Sequence, residues 1–343
     1  MRPGGTTPAD APGGSTPAGP AAAPVLLQVE DLRTGFEADG RTLVAVDGVS
    51  FTLHVGETLG LVGESGSGKS VTAFSIVRLV QPPGRILGGH VRFRGRDLLA
   101  LDEAEMRRVR GADIALIFQE PSTALNPVYT IGDQIAEALL VHGRASRREA
   151  LDRAQELLEA VRIPDPATRL RDYPHQLSGG QRQRVLIAMA LACHPALVIA
   201  DEPTTALDVT VQAQILELLR DMQQRFHLSL LLITHDLGVV AETADRVAIM
   251  YAGRIVEEGP VRTIFREPAH PYTRGLLASI PGGTPGERLH AIEGTVPSLD
   301  ALPRGCAFGP RCPDRFAACD AERPPAYPVG ADHTARCFLH RTT

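Results

Sequence analysis

A single lysine stands among the 35 Lys and Arg residues of this chain, and it lies in a glycine-rich segment. The segment reads Gly63-Glu64-Ser65-Gly66-Ser67-Gly68-Lys69-Ser70, which fits the pattern G-x-x-x-x-G-K-[ST]. Glycines at this spacing let backbone N–H groups face phosphate, while the ammonium can reach the outer phosphates and the last serine can ligate Mg²⁺. Residues 58–62 read as a buried strand and 71–80 as a helix, as a phosphate-binding loop requires. A glycine-rich turn with an incidental lysine is the alternative.

Length and composition bound the other possibilities. The 343 residues suffice for about two domains, and the chain has no run of about 18 uncharged apolar residues, so we expect no membrane span. A net charge of -5 gives no basic footprint, so we expect no nucleic-acid partner. Residues 1–24 are almost entirely Pro, Gly, Ala, Thr and Ser. This composition predicts a disordered tail rather than a signal peptide, and a protein that stays in the cytoplasm.

Strand-like and helix-like segments alternate between residues 25 and 262. Three segments predict an antiparallel layer beside the strand at 58–62, namely Leu26–Phe36, Val44–Val55 and His90–Phe93. Four apolar runs between helices are typical of a parallel sheet covered on both faces, namely Ile114–Phe118, Leu197–Ala200, Leu228–Ile233 and Val247–Met250. Together these segments predict an α/β nucleotide-binding core.

The segment from residue 131 to residue 194 has helical periodicity. It predicts an inserted helical subdomain at about residues 120–180, inside a core domain at 25–262 that precedes a C-terminal region at 263–343. One apolar helix face is predicted from Ile135, Ala138, Leu139 and Val141, and a second from Leu151, Ala154, Leu157, Leu158 and Val161.

A second motif with phosphate chemistry follows the apolar run at 197–200. The run ends in Asp201 and Glu202. A carboxylate at a strand tip can hold Mg²⁺, and we assign this role to Asp201. Glu202 points to the other side of the strand, where its carboxylate can polarise an attacking water as general base. The alternative is a solvated Asp-Glu pair at a helix N-terminus, which does not account for the strand before it.

The pentapeptide Leu177-Ser178-Gly179-Gly180-Gln181 precedes that strand. It reads as a helix N-terminus with a serine cap and two glycines, a second anion-binding site. A simple N-cap explains the local pattern but not its spacing to the other motifs. With this signature the chain resembles the ATP-binding cassette (ABC) family over roughly residues 25–280. The resemblance implies ATP hydrolysis with Mg²⁺ and an α/β fold, in which a RecA-like P-loop NTPase core carries an antiparallel β subdomain, a helical insertion and a small cysteine-containing extension.

The resemblance assigns roles to further residues. Gln119 resembles the Q-loop glutamine that senses Mg²⁺ and the attacking water. His235 resembles the switch histidine that contacts the γ-phosphate, although a histidine at a strand end is by itself more often structural. Asp208, in Thr205-Ala206-Leu207-Asp208, resembles the D-loop aspartate. Phe36 is a candidate for the aromatic ring that stacks on adenine, and a core phenylalanine is the alternative.

The resemblance also implies a second cassette. In the family two cassettes face head to tail, and each ATP lies between one P-loop and the signature of the facing molecule. Water would attack the γ-phosphate in line while Lys69 and Mg²⁺ neutralise charge and Glu202 activates the water. Ser178 and Gly180 would complete the site of the facing cassette, so a monomer is expected to hydrolyse ATP poorly.

Two segments resemble the oligopeptide and dipeptide importers in particular. They are Gln119–Pro127 and Glu267–Leu277. This implies an ATPase subunit at the cytoplasmic face of the cell membrane, bound to two transmembrane permease subunits and a second ATPase subunit, in a complex with an extracytoplasmic substrate-binding protein. Import of nickel, glutathione or another small solute is the alternative within the family. A soluble ABC ATPase of DNA repair or translation is the alternative outside it.

Four of the five cysteines lie near the C-terminus, namely Cys306, Cys312, Cys319 and Cys337. Disulfides are disfavoured in a cytosolic protein, so a metal or cluster site is the natural use of four clustered thiolates. A [4Fe-4S] cluster accepts irregular spacing, and peptide-importer ATPases resemble this chain in their cysteine-containing tail. Zinc and free thiols are the alternatives, and the lack of a C-x2-C pair disfavours zinc. Cys193 is expected to be a small buried hydrophobe.

Overall fold

The computed structural model describes residues 23–205, 207–280 and 292–341, so the tail predicted at the N-terminus lies outside the described residues up to residue 22. The strands are β1 (Val25–Ala38), β2 (Arg41–His54), β3 (Thr58–Val62), β4 (Gly84–Phe93), β5 (Arg96–Asp97), β6 (Ile114–Ile117), β7 (Leu197–Asp201), β8 (Ser229–Thr234), β9 (Arg246–Tyr251), β10 (Arg254–Pro260), β11 (Tyr327–Gly330) and β12 (His333–Ala335). The helices are α1 (Lys69–Ile76), α2 (Glu103–Val109), α3 (Pro121–Ala124), α4 (Ile131–Val141), α5 (Arg147–Ala160), α6 (Pro166–Arg169), α7 (Gly179–Leu191), α8 (Val209–Phe226), α9 (Leu237–Thr243), α10 (Val261–Arg266), α11 (Pro271–Ala278) and α12 (Ala317–Ala321). Among these described helices, none has the length and apolar character needed to cross a bilayer.

In the described part of the chain, the larger sheet has eight strands in the order β11-β12-β10-β9-β3-β8-β7-β6. Strands β9, β3, β8, β7 and β6 pair in parallel, as their continuous apolar sequences predict. Every residue of β3, β7 and β8 is buried. Because the carboxyl ends of parallel strands share one edge, the segments that follow β3, β6, β7 and β8 meet there.

The smaller sheet confirms the predicted antiparallel layer, with the strand order β2-β1-β4-β5. One apolar core lies between this sheet, α1 and one face of the larger sheet, and it includes Leu27, Phe51 and Leu59. The opposite face packs against α4, α5, α7 and α8 in a second core. Along β7, Ile199 belongs to the first core and Val198 to the second, because successive strand side chains point to opposite faces. The larger sheet is therefore covered on both faces.

The helical segment predicted after β6 is present as α3 to α7. Helix α4 buries Ile135 and Leu139, as predicted, but the exposed fraction of Val141 is 73%. Placing Val141 on this face was wrong, because residues two positions apart on a helix lie about 200° apart around its axis. Cys193 is buried as predicted, and its Sγ donates to the Ala138 carbonyl at 3.4 Å.

Helix α1 is shorter than the predicted segment 71–80. It begins at Lys69, directly at the end of the glycine-rich loop, and ends at Ile76. Arg78 then adopts a left-handed conformation with φ of 54°, which an α-helix cannot contain. The apolar residues beyond it therefore pack outside the helix.

The C-terminal region extends the larger sheet. Strand β12 pairs with Glu257 and Glu258 of β10, and β11 pairs with β12. Three aromatic rings form the centre of a third core, in which the centroid of Tyr251 lies 4.7 Å from that of Tyr272 and 5.3 Å from that of Phe308. The region thus shares both a sheet and a core with the nucleotide-binding fold.

The buried carboxylate of Glu257 fixes this attachment. It accepts hydrogen bonds from the backbone N–H groups of Ala269 at 2.7 Å and His270 at 2.9 Å, and its Oε1 lies 2.8 Å from His333 Nε2. His270 Nδ1 in turn accepts from the Tyr272 N–H at 3.0 Å and caps α11. Burial lowers the pKa of His270 to about 3, so this ring is neutral at neutral pH.

Glu257→Ala should lower the free energy of unfolding by about 3 kcal/mol, because three buried donors lose their acceptor. Urea unfolding measures this loss, and limited proteolysis should place the new cleavage sites after residue 262. The exposed Glu267→Ala is the matched control and should change stability by less than about 0.5 kcal/mol. Equal unfolding midpoints for both variants would contradict the role given to Glu257.

Candidate functional site

The glycine-rich loop connects β3 to α1, and two of its glycines lie where a side chain does not fit. A Cβ at Gly63 would stand 2.1 Å from the Met250 carbonyl oxygen, and one at Gly68 would stand 2.6 Å from the Ala45 carbonyl oxygen. Gly66 and Gly68 also have φ of 77° and 102°, which L side chains rarely adopt. The loop leads directly into the start of α1, whose first N–H groups lack acceptors within the helix and suit an anion.

The ammonium of Lys69 is turned back onto this loop. Its Nζ donates to the carbonyl oxygens of Gly63 at 2.8 Å and Glu64 at 3.1 Å, and the residue is only 4% exposed. Burial lowers the pKa of Lys69, while the carboxylates of Glu202 and Asp201 oppose the shift. A phosphate on the loop would give the ammonium the charged partner that two carbonyl groups do not supply.

Ser70 and Asp201 form the second element of the site. Ser70 Oγ donates to Asp201 Oδ1 at 3.0 Å, from the first turn of α1 to the tip of β7. Burial raises the pKa of Asp201 to about 6, and the hydrogen bond from Ser70 partly offsets this rise. Hydroxyl and carboxylate oxygens are ligands that Mg²⁺ prefers. A bound cation would also stabilise the ionised carboxylate of Asp201, which burial destabilises. The chemistry of this pair therefore fits Mg²⁺.

Three side chains from separate segments converge on the carboxylate of Glu202. Its Oε2 accepts from Gln119 Nε2 at 3.1 Å and from Thr205 Oγ1 at 2.8 Å, and it lies 3.3 Å from His235 Nδ1. Glu202 has a left-handed φ of 46° and donates its N–H to the Ile233 carbonyl at 2.9 Å. A costly backbone conformation is thus held in place by β8 and fixes the direction of the carboxylate. The Thr205 contact was not predicted, although the spacing of three residues from Glu202 allows it.

The signature segment forms the capped helix start that its sequence predicts. Ser178 Oγ accepts from the Gln181 N–H at 3.3 Å, and Gln181 Oε1 accepts from the Ser178 N–H at 3.0 Å. Gly180 lies against α8, where a Cβ would stand 2.8 Å from Val211. Ser178 is exposed at the start of α7. Within one molecule, this helix start is therefore accessible from outside.

Phe36 and Asp208 have packing and capping contacts. Phe36 pairs in register with Leu43 of β2 and Gly84 of β4, and a Cβ at Gly84 would stand 2.6 Å from its Cε1. The residue is half-buried. Asp208 caps α8 by accepting from the Val211 N–H at 3.0 Å. Their roles toward the adenine ring and the facing cassette stay predictions.

The four C-terminal cysteines surround one small cavity, which Cys306, Cys312, Cys319 and Cys337 all line. The Cys306 N–H donates to the Cys319 carbonyl at 2.8 Å. Burial raises the pKa of the Cys306, Cys312 and Cys337 thiols, and the neighbouring thiols add to the rise. Within residues 23–205, 207–280 and 292–341, no three His, Cys, Asp or Glu side chains have the arrangement that a metal ion needs. The predicted thiols therefore meet in one place but are not set at the separations of a single-ion site.

Two residues that sequence analysis did not assign to the site contact its glycine-rich loop. Arg311 pairs with the Glu64 carboxylate, and the Tyr272 hydroxyl accepts from the Glu64 N–H at 2.9 Å. Arg311 and Glu64 are separated by 247 positions, so no local pattern could have connected them.

Comparisons with known sequences agree with this geometry. Residues 46–205 match the family described as ABC transporter, and residues 256–319 match the family described as oligopeptide/dipeptide transporter, C-terminal region. A Brucella abortus protein named for ATP binding in peptide import is 55% identical over 326 residues, which are 91% of this chain and 96% of that protein.

Two Bacillus subtilis relatives also match most of the chain. The dipeptide transport ATP-binding protein DppD is 52% identical over 316 residues, which are 92% of this chain and 94% of that protein. The oligopeptide transport ATP-binding protein AppD is 52% identical over 318 residues, which are 92% of this chain and 97% of that protein.

Solved structures support the fold. A dimeric ATP-binding cassette, MJ0796, bound to ADP and Pi, is 28% identical with a TM-score of 0.62, and the match covers 69% of this chain and 99% of that cassette. The Clostridium perfringens protein cbiO1 is 25% identical with a TM-score of 0.60, over 71% of this chain and 92% of cbiO1. The predicted cassette fold is therefore confirmed. This chain belongs to the ABC transporter family as an ATP-hydrolysing cassette subunit and carries the C-terminal region of its oligopeptide and dipeptide transporters.

Proposed function

We propose that this chain binds ATP with Mg²⁺ at residues 63–70 and hydrolyses it to drive import of dipeptides or oligopeptides. The observation that carries the proposal is the convergence, at one sheet edge, of the Lys69 ammonium, the Ser70–Asp201 pair and the Glu202 carboxylate. The names of the Bacillus relatives support a peptide cargo. Nickel, glutathione or another small solute is the alternative cargo, because the cassette itself does not contact what is transported.

Each residue at this edge has one task in hydrolysis. Lys69 exchanges its loop carbonyls for the β- and γ-phosphates. Ser70, Asp201 and Gln119 would hold Mg²⁺, which supplies neutralisation of the charge that develops on phosphate oxygens. Glu202 Oε2 accepts a proton from the water that attacks the γ-phosphate in line. His235 lies beside Glu202 and donates a hydrogen bond to the γ-phosphate.

A second cassette, identical or related, completes this site. The α7 N-terminus at Ser178 is exposed and offers free N–H groups to an anion. We place it, with Gly180, on the γ-phosphate of the facing molecule, and Asp208 beside that contact. The dimeric state described for MJ0796 supports this arrangement. A lone subunit then has only half of each catalytic site and hydrolyses ATP slowly.

The helical subdomain, at about residues 120–180, is the proposed docking face for two transmembrane permease subunits. Large apolar side chains are exposed in this subdomain or just before it, namely Phe118, Val128, Tyr129 and Val141. Apolar exposure of this kind is typical of a protein interface. Docking would hold the chain at the cytoplasmic face of the membrane, in a complex that receives cargo from an extracytoplasmic substrate-binding protein.

We also propose a [4Fe-4S] cluster at Cys306, Cys312, Cys319 and Cys337. Four thiols that line one cavity at irregular sequence spacing support it. Zinc and free thiols are the alternatives. Because burial disfavours free thiolates here, a cationic group would favour their ionisation. Its role is structural, since ATP hydrolysis has no redox step.

Lys69→Ala should weaken ATP binding by at least about tenfold, because the phosphates lose their ammonium partner. Isothermal titration calorimetry on the full-length chain measures the dissociation constant. Lys69→Arg should also bind weakly, because a planar guanidinium does not replace a compact ammonium. Unchanged ATP affinity in Lys69→Ala would show that the loop is not part of the nucleotide site.

Glu202→Gln should bind ATP normally but hydrolyse it at least about a hundredfold more slowly, because the amide keeps the shape and removes the base. Phosphate release by the subunit assembled with its permeases measures the rate, and gel filtration with ATP should show a stable cassette dimer. The exposed Glu217→Gln on α8 is the control and should retain the normal rate. Near-normal turnover by Glu202→Gln would exclude it as the base.

Co-expression with peptide permeases tests the transport role. The chain should co-purify with them in detergent, and Tyr129→Asp together with Val128→Asp should abolish the association without changing ATP binding by the free chain. If the chain instead does not bind the permeases and associates with DNA or ribosomes in a salt-dependent manner, the importer assignment is wrong and the soluble ABC alternative holds.

Anaerobically purified protein should be brown and contain about four iron and four sulfide per chain. Cys337→Ser should lose most of this iron and open residues 303–343 to protease. Cys193→Ser, outside the cluster, should keep the iron and serves as the control. Colourless protein with one zinc per chain would show a zinc site in place of the cluster. Four titratable thiols without metal would contradict both the cluster and the zinc site.

A further inference from the structure

We propose that the C-terminal region positions the glycine-rich loop of its own chain, with Arg311 and Tyr272 as positioning residues for ATP binding. The inference rests on the proposal that residues 63–70 bind ATP. On this proposal, the ATP affinity depends on the fold around the four cysteines, although those cysteines are far from the loop in the sequence.

Arg311 is a buried partner of the loop. Its Nη1 lies 3.0 Å from both Oε1 and Oε2 of Glu64, and the Arg311 side chain is only 6% exposed. The Glu64 side chain is 28% exposed, so the pair is partly buried and is screened less by solvent than a fully exposed pair. Glu64 is the second residue of the loop, so the contact acts directly on the phosphate-binding segment.

Other contacts hold Arg311 in one place. Its Nε donates to the Glu293 carbonyl at 2.9 Å and its Nη2 to the Ile292 carbonyl at 3.3 Å. The guanidinium also lies 5.9 Å from the ring centroid of Tyr251 and 6.0 Å from that of Phe308. Most of its donors are therefore engaged, and the side chain has little freedom to leave Glu64.

Tyr272 holds the same loop residue through its backbone. Its hydroxyl accepts from the Glu64 N–H at 2.9 Å, and its ring is fully buried against Tyr251 and Phe308. Burial raises the pKa of Tyr272 above its usual value, so the hydroxyl stays neutral. The C-terminal region therefore engages both the carboxylate and the amide of Glu64.

The backbone carbonyl of Glu64 contacts Lys69, the residue that is proposed to bind phosphate. This carbonyl accepts from Lys69 Nζ at 3.1 Å. One residue thus connects Arg311 and Tyr272 on one side with Lys69 on the other. A loop preorganised in this way has less entropy to lose when it closes on phosphate, so affinity should depend on these contacts.

The backbone around Arg311 belongs to the segment from Cys306 to Cys312, and both of these cysteines line the cavity. The Gly309 N–H donates to the Cys306 carbonyl at 2.9 Å, and the Cys312 N–H donates to the Gly309 carbonyl at 3.2 Å. Arg311 lies within the second of these turns and directly precedes Cys312. A change at the cysteine cavity that shifts this segment would move the guanidinium away from Glu64.

The test measures the ATP dissociation constant of the full-length chain. Arg311→Ala should weaken binding about tenfold, whereas Arg311→Lys should restore part of the loss because the charge remains. Tyr272→Phe should weaken binding about threefold by leaving the Glu64 N–H without its acceptor. Arg315→Ala, which removes an exposed pair with Asp320 in the same region, is the matched control and should bind as the parent does.

Two readouts separate positioning from general loss of structure. In the subunit assembled with its permeases, Arg311→Ala should raise the KM for ATP while kcat at saturating ATP stays within about twofold. Glu64→Gln combined with Arg311→Ala should weaken binding no more than the stronger single variant, because both remove the same ion pair. If Arg311→Ala fails to fold, Glu64→Gln and Tyr272→Phe carry the same measurement.

Parent-like affinity in Arg311→Ala and Glu64→Gln, or additive losses in the double variant, would overturn the inference. Lys69→Ala distinguishes this failure from failure of the proposed function, since only the latter leaves ATP affinity unchanged in Lys69→Ala. Cys312→Ser should weaken ATP binding about as much as Arg311→Ala and add nothing to it. Unchanged affinity in Cys312→Ser would overturn the link to the cysteines.

Discussion

Two buried charges of opposite sign at one edge of a parallel sheet organise this molecule. Lys69 and Asp201 are almost inaccessible to water, and burial lowers the pKa of the first and raises that of the second to about 6. Such groups gain most from a ligand that supplies both missing partners, an anion for the ammonium and a cation for the carboxylate. Phosphate with Mg²⁺ is a ligand of this kind. The strand tips, the glycines and the start of α1 matter because they bring these two charges together.

Sequence could predict the parts of the site that depend on local spacing. The loop at 63–70, the strand-tip acids Asp201 and Glu202 and the cap at Ser178 each occupy a short segment. Their joint spacing favours phosphate chemistry over the structural alternative that each pattern has by itself. The parallel strands follow from continuous apolar runs. Local reasoning was wrong at Val141, where an apolar residue near a helix end was assigned to the buried face although its angular position places it on the opposite side.

Contacts between distant segments could not be predicted in this way. Arg311 and Glu64 lie 247 positions apart, and arginine is so common in this chain that its identity marks no partner. The convergence of Ala269, His270 and His333 on Glu257 is likewise a product of tertiary packing. The four cysteines are a case between these two. Their clustering in sequence predicted that they meet at one cavity, but it did not predict their separations, which are not those of a single-ion site within the described residues.

The glycines explain why a phosphate loop needs contacts from outside itself. Glycine permits the left-handed conformations at Gly66 and Gly68, but the same freedom makes many other loop conformations accessible. The residues that exclude those other loop conformations must therefore lie outside the loop. In this protein they contact the loop at Glu64. Its carboxylate, N–H and carbonyl are all engaged, by Arg311, Tyr272 and Lys69. In the proposed function, the cassette motifs would supply the atoms that meet the nucleotide, and the C-terminal region would restrict how freely those atoms move before it binds.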